Sequence, residues 1–104
     1  MSYLVISSSL NSQSRSRLLA QIAFKALEQM EVHVEWIDLS EYSIPLCDGD
    51  LAYENFQVKE LADKIHHVKA VLIAVPIYNY YANAAAKNLI ELTGKAWSNK
   101  VVGF

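Results

Sequence analysis

The chain has 104 residues, of which 53% are hydrophobic and 19% are charged, and its formal net charge is −2. These totals predict one soluble globular domain with a modest core, and the interspersed charges exclude the basic stripe that nucleic acid or an anionic membrane requires. No segment approaches the roughly 20 apolar residues of a membrane span, and the N-terminal MSYLVIS lacks the basic region of a signal peptide. We therefore expect a cytoplasmic protein. Its single cysteine, Cys47, allows no internal disulfide.

The first third of the chain predicts a strand, a helix and a second strand. The unbroken apolar run at 3–6 is typical of a strand that is covered on both faces. In residues 32–39 apolar and polar residues alternate, which indicates a strand near a sheet edge. Between them, from Ser14, the apolar period becomes that of a helix. The predicted buried face of this helix consists of Leu18, Leu19, Ile22, Ala23, Ala26, Leu27 and Met30.

The rest of the chain predicts two more helices and two more strands. Asn55 is a candidate helix cap, Pro76 ends the most apolar stretch, and Gly94 is a candidate helix stop. The predicted elements are a loop at 40–50, a helix at 55–67, a strand at 70–75, a loop from 77 to 84, a helix that begins within 84–92, and a strand at 100–104.

The order of these elements is strand, helix, strand, helix, strand, helix, strand. Alternation of this kind predicts a parallel sheet with right-handed crossovers. We therefore predict an α/β fold, a three-layer sandwich of flavodoxin-like or Rossmann-like type. The fourth strand has barely begun at Phe104 and would leave an apolar sheet edge uncovered. The pattern thus predicts that residues 1–104 are the N-terminal part of a longer domain with at least one further βα unit.

A serine-rich stretch, SSSLNSQSRSRLL (7–19), joins the first strand to the first helix. Ligands of open α/β sheets bind beyond the carboxyl ends of the strands, and the unpaired N–H groups of a helix N-terminus suit a phosphate. The candidate phosphate ligands are the side chains of Ser9, Ser12, Ser14, Ser16, Arg15 and Arg17. The alternative is that Ser14 is only a helix cap. Neither the GxGxxG of a dinucleotide fold nor the GK[ST] of a P-loop is present.

The loop after the third strand, VPIYNYY, lies at the same edge of the predicted sheet as the serine-rich stretch. Its tyrosines offer aromatic faces, and Asn79 offers an amide donor and acceptor, which suits a planar heteroaromatic ring. A phosphate site beside a ring site indicates a mononucleotide. The alternative is that the tyrosines pack at a contact between subunits.

These two loops resemble those of the NADPH-dependent FMN reductases, a family of flavodoxin-like fold. That family carries Gly-Ser-x-Arg-x-x-Ser-x-Ser after its first strand, and SSLNSQSRS (8–16) is similar at its serines, with Ser8 in place of glycine and Asn11 in place of arginine. The family's second motif, Pro-x-Tyr-Asn followed by Leu-Lys-Asn, is similar to PIYNYYANAAAKN (76–88). The resemblance spans the chain, since IPLCDGD (44–50) is similar to the family's proline loop.

The resemblance implies an FMN-binding domain of an oxidoreductase in which NADPH or NADH reduces FMN, which then reduces a small acceptor. The cofactor carries such chemistry, so no catalytic side chain is expected, and the sequence shows no metal-ligand spacing. The family tends to form homodimers or homotetramers. The implied cofactor-binding residues are Ser9, Asn11, Ser14 and Ser16 at the phosphate, with Arg15 as a substitute charge, and Pro76, Ile77, Tyr78 and Asn79 beside the isoalloxazine.

Other functions fit the same fold. A quinone or azo reductase would use the same two loops, and a non-catalytic remnant would mainly form subunit contacts. An electron-carrying flavodoxin is disfavoured because such carriers are usually strongly acidic and this chain has a net charge of only −2. A response-regulator receiver is excluded, since it needs acidic residues where this sequence has Ser-Ser-Ser and Val-Pro.

Overall fold

A four-stranded parallel sheet with three α-helices forms the body of the protein, as a computed structural model describes it for residues 2–104. This confirms the predicted α/β fold. The elements are β1 (Ser2–Ser7), α1 (Arg15–Gln29), β2 (His33–Asp38), α2 (Phe56–His66), β3 (Ala70–Ala74), β4 (Ile77–Tyr78), β5 (Tyr81–Ala82), α3 (Ala84–Thr93) and β6 (Val101–Gly103). Short 3₁₀ segments lie at Leu39–Glu41, Leu51–Glu54 and Gly94–Trp97. Among residues 2–104, no helix is both long and apolar enough to cross a membrane.

The strand order β2-β1-β3-β6 explains how the helices divide between the two faces of the sheet. The chain moves from β1 to β2 in one direction and then returns past β1 to β3 and β6. Because parallel crossovers are right-handed, this reversal puts α1 on one face and α2 and α3 together on the other. The reversal also makes the carboxyl ends of β1 and β3 the point where a ligand is expected to bind.

The main core lies between the sheet and the α2–α3 layer. Leu4 and Ile6 of β1 are fully buried there, as are Leu61 and Ile65 of α2 and Leu89 of α3. The predicted cap of α2 is confirmed, because the Asn55 side chain accepts hydrogen bonds from the backbone of Gln57 and Val58. Burial of these aliphatic side chains, each worth roughly 1.5–3 kcal/mol, holds β1 and β3 in place under the loops that follow them.

The predicted buried face of α1 is wrong in part. Leu18, Leu19, Ile22 and Met30 are 59–68% exposed, and Ala20 is the buried residue of this helix. The reason is that α1 packs on the sheet alone, without a neighbouring helix. Only the residues directly over β1, β2 and β3 are covered. Apolar hollows of 340 and 270 Å³ remain between α1 and the sheet, beside Leu72.

The sequence predicts a loop over 77–84, and the structure corrects residues 77–82 to a β-hairpin. Strands β4 and β5 pair antiparallel, with Ile77 opposite Ala82 and Tyr78 opposite Tyr81. Asn79 and Tyr80 form the two-residue turn with φ of 52° and 64°. Positive φ at both turn residues is what the right-handed twist of a short hairpin requires, and the sequence signal was weak because Tyr80 stands where glycine is favoured.

Candidate functional site

The first part of the site is the serine loop, residues 8–14, which leaves the end of β1. Ser8 and Ser9 are at most 1% exposed, and the Ser8 backbone N–H donates to Ala74 O at 3.1 Å, which extends the β1–β3 ladder beyond the strands. The Ser8 hydroxyl lies 3.0 Å from Ala74 O and 3.2 Å from Asn83 Oδ1, within donor range of both. The start of the loop is therefore fixed to β3.

Asn83 joins the serine loop to the second loop of the site. Its Nδ2 donates to Ser8 O at 2.9 Å, and its Oδ1 accepts from the backbone N–H of Ala86 at 3.3 Å, which caps α3. The Asn83 side chain is 5% exposed, so these bonds form away from water. One buried amide thus connects the serine loop to the segment that follows β3.

The middle of the serine loop is shaped by its own side chains. Asn11 N–H donates to Ser9 Oγ at 3.2 Å, and Gln13 N–H donates to Asn11 Oδ1 at 3.0 Å, an Asx turn. Ser14 is the N-cap of α1, because its Oγ accepts from the Arg17 N–H at 3.0 Å; the same Oγ lies 2.9 Å from Ser16 Oγ. The capping role weighed for Ser14 is therefore present, and the loop ends at the positive end of the helix dipole.

The two arginines in the first turn of α1, which follows the serine loop, have different surroundings. The Arg17 side chain is 13% exposed, donates to Asn11 O at 2.7 Å and to Ser9 O at 2.9 Å, and pairs with Asp38. This differs from the expectation that Arg17 would add charge to a phosphate site. Arg15 is exposed and lines the cavity described below, and it makes no ion pair with any of residues 2–104. Of the two arginines, Arg15 is therefore the one that can face an anion in the cavity.

The second part of the site is the tyrosine hairpin, residues 77–82. Its aromatic rings are open to solvent: Tyr78 is 52% exposed, Tyr80 is 100% exposed and Tyr81 is 65% exposed. The Lys87 ammonium lies 4.4 Å from the centre of the Tyr81 ring, a cation–π contact that ties the hairpin to α3. Tyr78 is the hairpin tyrosine that faces the serine loop.

A cavity of about 340 Å³ lies between the serine loop, the start of α1 and the tyrosine hairpin. Its lining combines hydroxyls, amides, one guanidinium, a proline and a phenol, whereas four other hollows of the protein are lined mainly by apolar side chains. The lining residues are Ser9, Asn11, Gln13, Ser14, Arg15, Ser16, Pro76 and Tyr78.

Most of the residues assigned to the cofactor from the sequence lie around this one cavity. The exceptions are Ile77, which lines a different hollow of about 300 Å³ beside β3 and α3, and Asn79, which lies in the hairpin turn. Gln13 was missed, and its place between the loop serines was the signal that could have found it. Ser12 is exposed and is not among the lining residues.

Two groups with shifted pKa values lie outside the cavity, on the segment before α2. Hydrogen bonds from the backbone of Ala52 and Asp50 lower the pKa of Asp48. The contact between Tyr53 Oη and Cys47 Sγ, at 3.5 Å, raises the pKa of Tyr53. Neither group is among the residues that line the cavity.

Comparison with known proteins gives a curated relative and several solved structures of similar fold. The chain is 29% identical over 76 residues to an NAD(P)H-dependent FAD/FMN reductase of Geobacillus thermodenitrificans (strain NG80-2), a match that covers 71% of this chain and 41% of that protein. The fold is similar to that of the apo NADH:FMN oxidoreductase EMOB, with a TM-score of 0.80, 25% identity, and coverage of 97% of this chain and 55% of that one. It is equally similar to FerB, a flavoenzyme NAD(P)H:(acceptor) oxidoreductase from Paracoccus denitrificans, with a TM-score of 0.80, 26% identity, and coverage of 97% and 57%.

The chain therefore spans about two fifths of the length of the curated relative and somewhat more than half of the two solved structures. The family model for NADPH-dependent FMN reductases matches residues 1–104, the whole of the chain. This protein belongs to the NADPH-dependent FMN reductase family.

Proposed function

We propose that this chain is the FMN-binding part of an NAD(P)H-dependent flavin reductase, with the phosphate in the serine loop and the ring beside Pro76 and Tyr78. The observation that carries the proposal is the single cavity that both loops line. Its volume of about 340 Å³ lies within the range of ligand sites in proteins.

The serine-loop end of the cavity has the donors that a phosphate monoester needs. The first-turn amides of α1, at Arg15 and Ser16, have no intrahelical acceptor, and the helix dipole favours negative charge there. The Arg15 guanidinium adds a full positive charge, and the hydroxyls of Ser14 and Ser16 add neutral donors. Arg15 thereby takes the place of the charge that Asn11 lacks.

The hairpin end of the cavity suits a flat conjugated ring. Pro76 and Tyr78 present apolar and aromatic surface at the mouth of the cavity, and aromatic faces stack well on such rings. When bound, FMN would supply the hydride-transfer chemistry itself. The residues of this chain would bind the phosphate, orient the ring and leave one side of the ring open to a nicotinamide donor and a small acceptor.

Titration of FMN into the protein tests the proposal directly. We expect FMN fluorescence to be quenched on binding and to return when excess inorganic phosphate competes for the serine loop. Riboflavin, which lacks the phosphate, should bind more weakly, and phosphate should not displace it. The absence of any optical change with FMN would overturn the assignment of the cavity.

Oxidation of NADPH and of NADH in the presence of FMN, followed at the nicotinamide absorbance, tests the reductase activity separately. A reductase consumes one of these donors at a steady rate while an acceptor is present. A protein that binds FMN tightly and scarcely reacts with either donor would instead be an electron carrier. We also propose that the protein is cytoplasmic. We further propose that it assembles as a homodimer or homotetramer, and sedimentation with and without FMN would measure its oligomeric state.

A further inference from the structure

Arg17 is a nearly buried cation whose charge does not face the cavity. Its Nη1 donates to Asn11 O at 2.7 Å and its Nη2 donates to Ser9 O at 2.9 Å. Its Nε lies 2.9 Å from Asp38 Oδ2, and since the Nε–H is not aimed well at that oxygen, this contact is an ion pair rather than a good hydrogen bond. One guanidinium therefore binds two carbonyls of the serine loop and one carboxylate of β2.

Asp38, the partner of Arg17, is itself held firmly at the end of β2. Its side chain is 12% exposed, and its Oδ1 accepts from the Ser40 N–H at 3.0 Å and from the Ser40 hydroxyl at 2.7 Å. The register of β2 against β1 places Asp38 directly opposite Ser7, the last residue of β1. The ion pair thus connects the serine loop to a strand that is part of the rigid sheet.

The contacts of Arg17 decide where the carbonyl oxygens of the serine loop point. A carbonyl dipole that faced the cavity would repel an anion, whereas the oxygens of Ser9 and Asn11 are bound by a guanidinium that is not among the cavity's lining groups. Because a guanidinium is a planar fork of donors, it can bind both carbonyls and still meet the carboxylate. A lysine ammonium has no such fork.

We propose that Arg17, anchored by Asp38, is a positioning residue for the anion site: it fixes the carbonyls of the serine loop away from the cavity and so sets the preference for a phosphorylated flavin over the unphosphorylated one. This inference rests on the proposed function, and it assigns Arg17 no direct contact with the flavin. The loop that it shapes meets the phosphate and not the ring. Loss of the Arg17 contacts should therefore weaken the binding of FMN more than the binding of riboflavin.

The test measures dissociation constants for FMN and for riboflavin by fluorescence quenching in four variants. Arg17→Gln removes the charge and the fork, and Arg17→Lys keeps the charge alone. The double variant Arg17→Gln with Asp38→Asn avoids an unpaired buried carboxylate, so that a folded protein is available for comparison. Lys25→Gln is the matched control, because it removes one positive charge from an exposed position of the same helix.

We expect Arg17→Gln and the double variant to weaken FMN binding by about tenfold, a loss of the size expected for disturbed hydrogen bonds to a charged group, with riboflavin binding within about twofold of the control. The FMN affinity of Arg17→Lys should lie between that of these two variants and that of Lys25→Gln. Equal losses for FMN and riboflavin would overturn the inference in favour of a general structural role, and so would FMN binding equal to that of Lys25→Gln. If the folded wild-type protein binds no FMN, the proposed function falls and this inference with it, which is a different result from a wild type that binds and variants that do not differ.

Discussion

The serine loop and the tyrosine hairpin line the same cavity, yet they are attached to the protein in different ways. Ser8 and Ser9 are at most 1% exposed, and Ser8 is bonded to β3 and to the cap of α3, while Tyr78 and Tyr80 are 52% and 100% exposed. The hairpin is held by its own short ladder and by one cation–π contact. The end of the cavity proposed to bind the phosphate is therefore fixed to the sheet, and the end proposed to bind the ring is attached to the sheet surface.

This difference indicates how a ligand would gain affinity at each end. Little free energy is lost to ordering when a ligand binds a preformed loop. The contact of the serine loop with an anionic group should therefore determine which ligand is preferred. Exposed aromatic side chains lose rotamer freedom and shed water on binding, so the ring should supply area with less discrimination. Changes in the serine loop should therefore separate FMN from riboflavin, whereas changes in the hairpin should affect the two flavins alike.

The largest effect is expected where the two regions are joined, at Asn83. Asn83→Ala removes the cap of α3 and leaves Ser8 O without its donor, and we expect the free energy of unfolding to fall by about 2–3 kcal/mol. Asn83→Ser keeps a capping oxygen, so its cost should be smaller by about 1 kcal/mol. Urea unfolding followed by circular dichroism measures both.

The pair of Asn83 variants also shows whether the link between the two loops matters. If Asn83→Ser were as stable as the wild type, the cap would account for the whole effect and the bond to Ser8 would contribute nothing. If Asn83→Ala and Asn83→Ser lowered the free energy of unfolding by the same amount, the cap of α3 would make no contribution to stability.

The next effect is expected at Arg15, the exposed cation at the start of α1. Arg15→Gln should weaken FMN binding by about tenfold, about 1.4 kcal/mol, because a charge-assisted hydrogen bond to the phosphate is lost. The affinity for riboflavin should not change. Lys25→Gln, which removes a charge elsewhere on α1, should leave the affinities for both flavins unchanged. Titrations at two salt concentrations should show a smaller salt dependence for Arg15→Gln than for the wild type. Equal FMN affinity in the two variants would show that Arg15 does not face the phosphate.

Local signals predicted much of the fold. Strand β1 was recognisable from an unbroken apolar run, and α2 from its period and from Asn55, because each of these signals acts within a few residues. The exposed face of α1 was not predictable in this way. Whether Leu19 and Ile22 are covered depends on which other elements pack beside the helix, and the period of a helix does not contain that information.

The sequence was sufficient to predict the two loops of the candidate site, but not the side-chain contacts within it. The order of the strands brings the carboxyl ends of β1 and β3 together, and the sequence pattern is sufficient to foresee this. Which of the two arginines of α1 faces the cavity depends on Asp38, a residue of β2, and the linking role of Asn83 depends on Ser8. Both are contacts between residues distant in sequence, on which a single sequence carries no signal.

The smallest effect is expected at the turn of the tyrosine hairpin. Tyr80 has φ of 64° in a two-residue turn where glycine is favoured, so its Cβ costs about 1 kcal/mol. Tyr80→Gly should raise the free energy of unfolding by roughly 0.5 kcal/mol, because the relief of strain exceeds the added chain entropy of glycine. Tyr80→Ala is the control, since it removes the ring and keeps the Cβ, and it should give no gain in urea unfolding. Equal increases in the free energy of unfolding for Tyr80→Gly and Tyr80→Ala would mean that the fully exposed ring, and not the backbone, lowers the stability of the hairpin. The contrast between the two regions would then depend only on the buried hydrogen bonds of the serine loop.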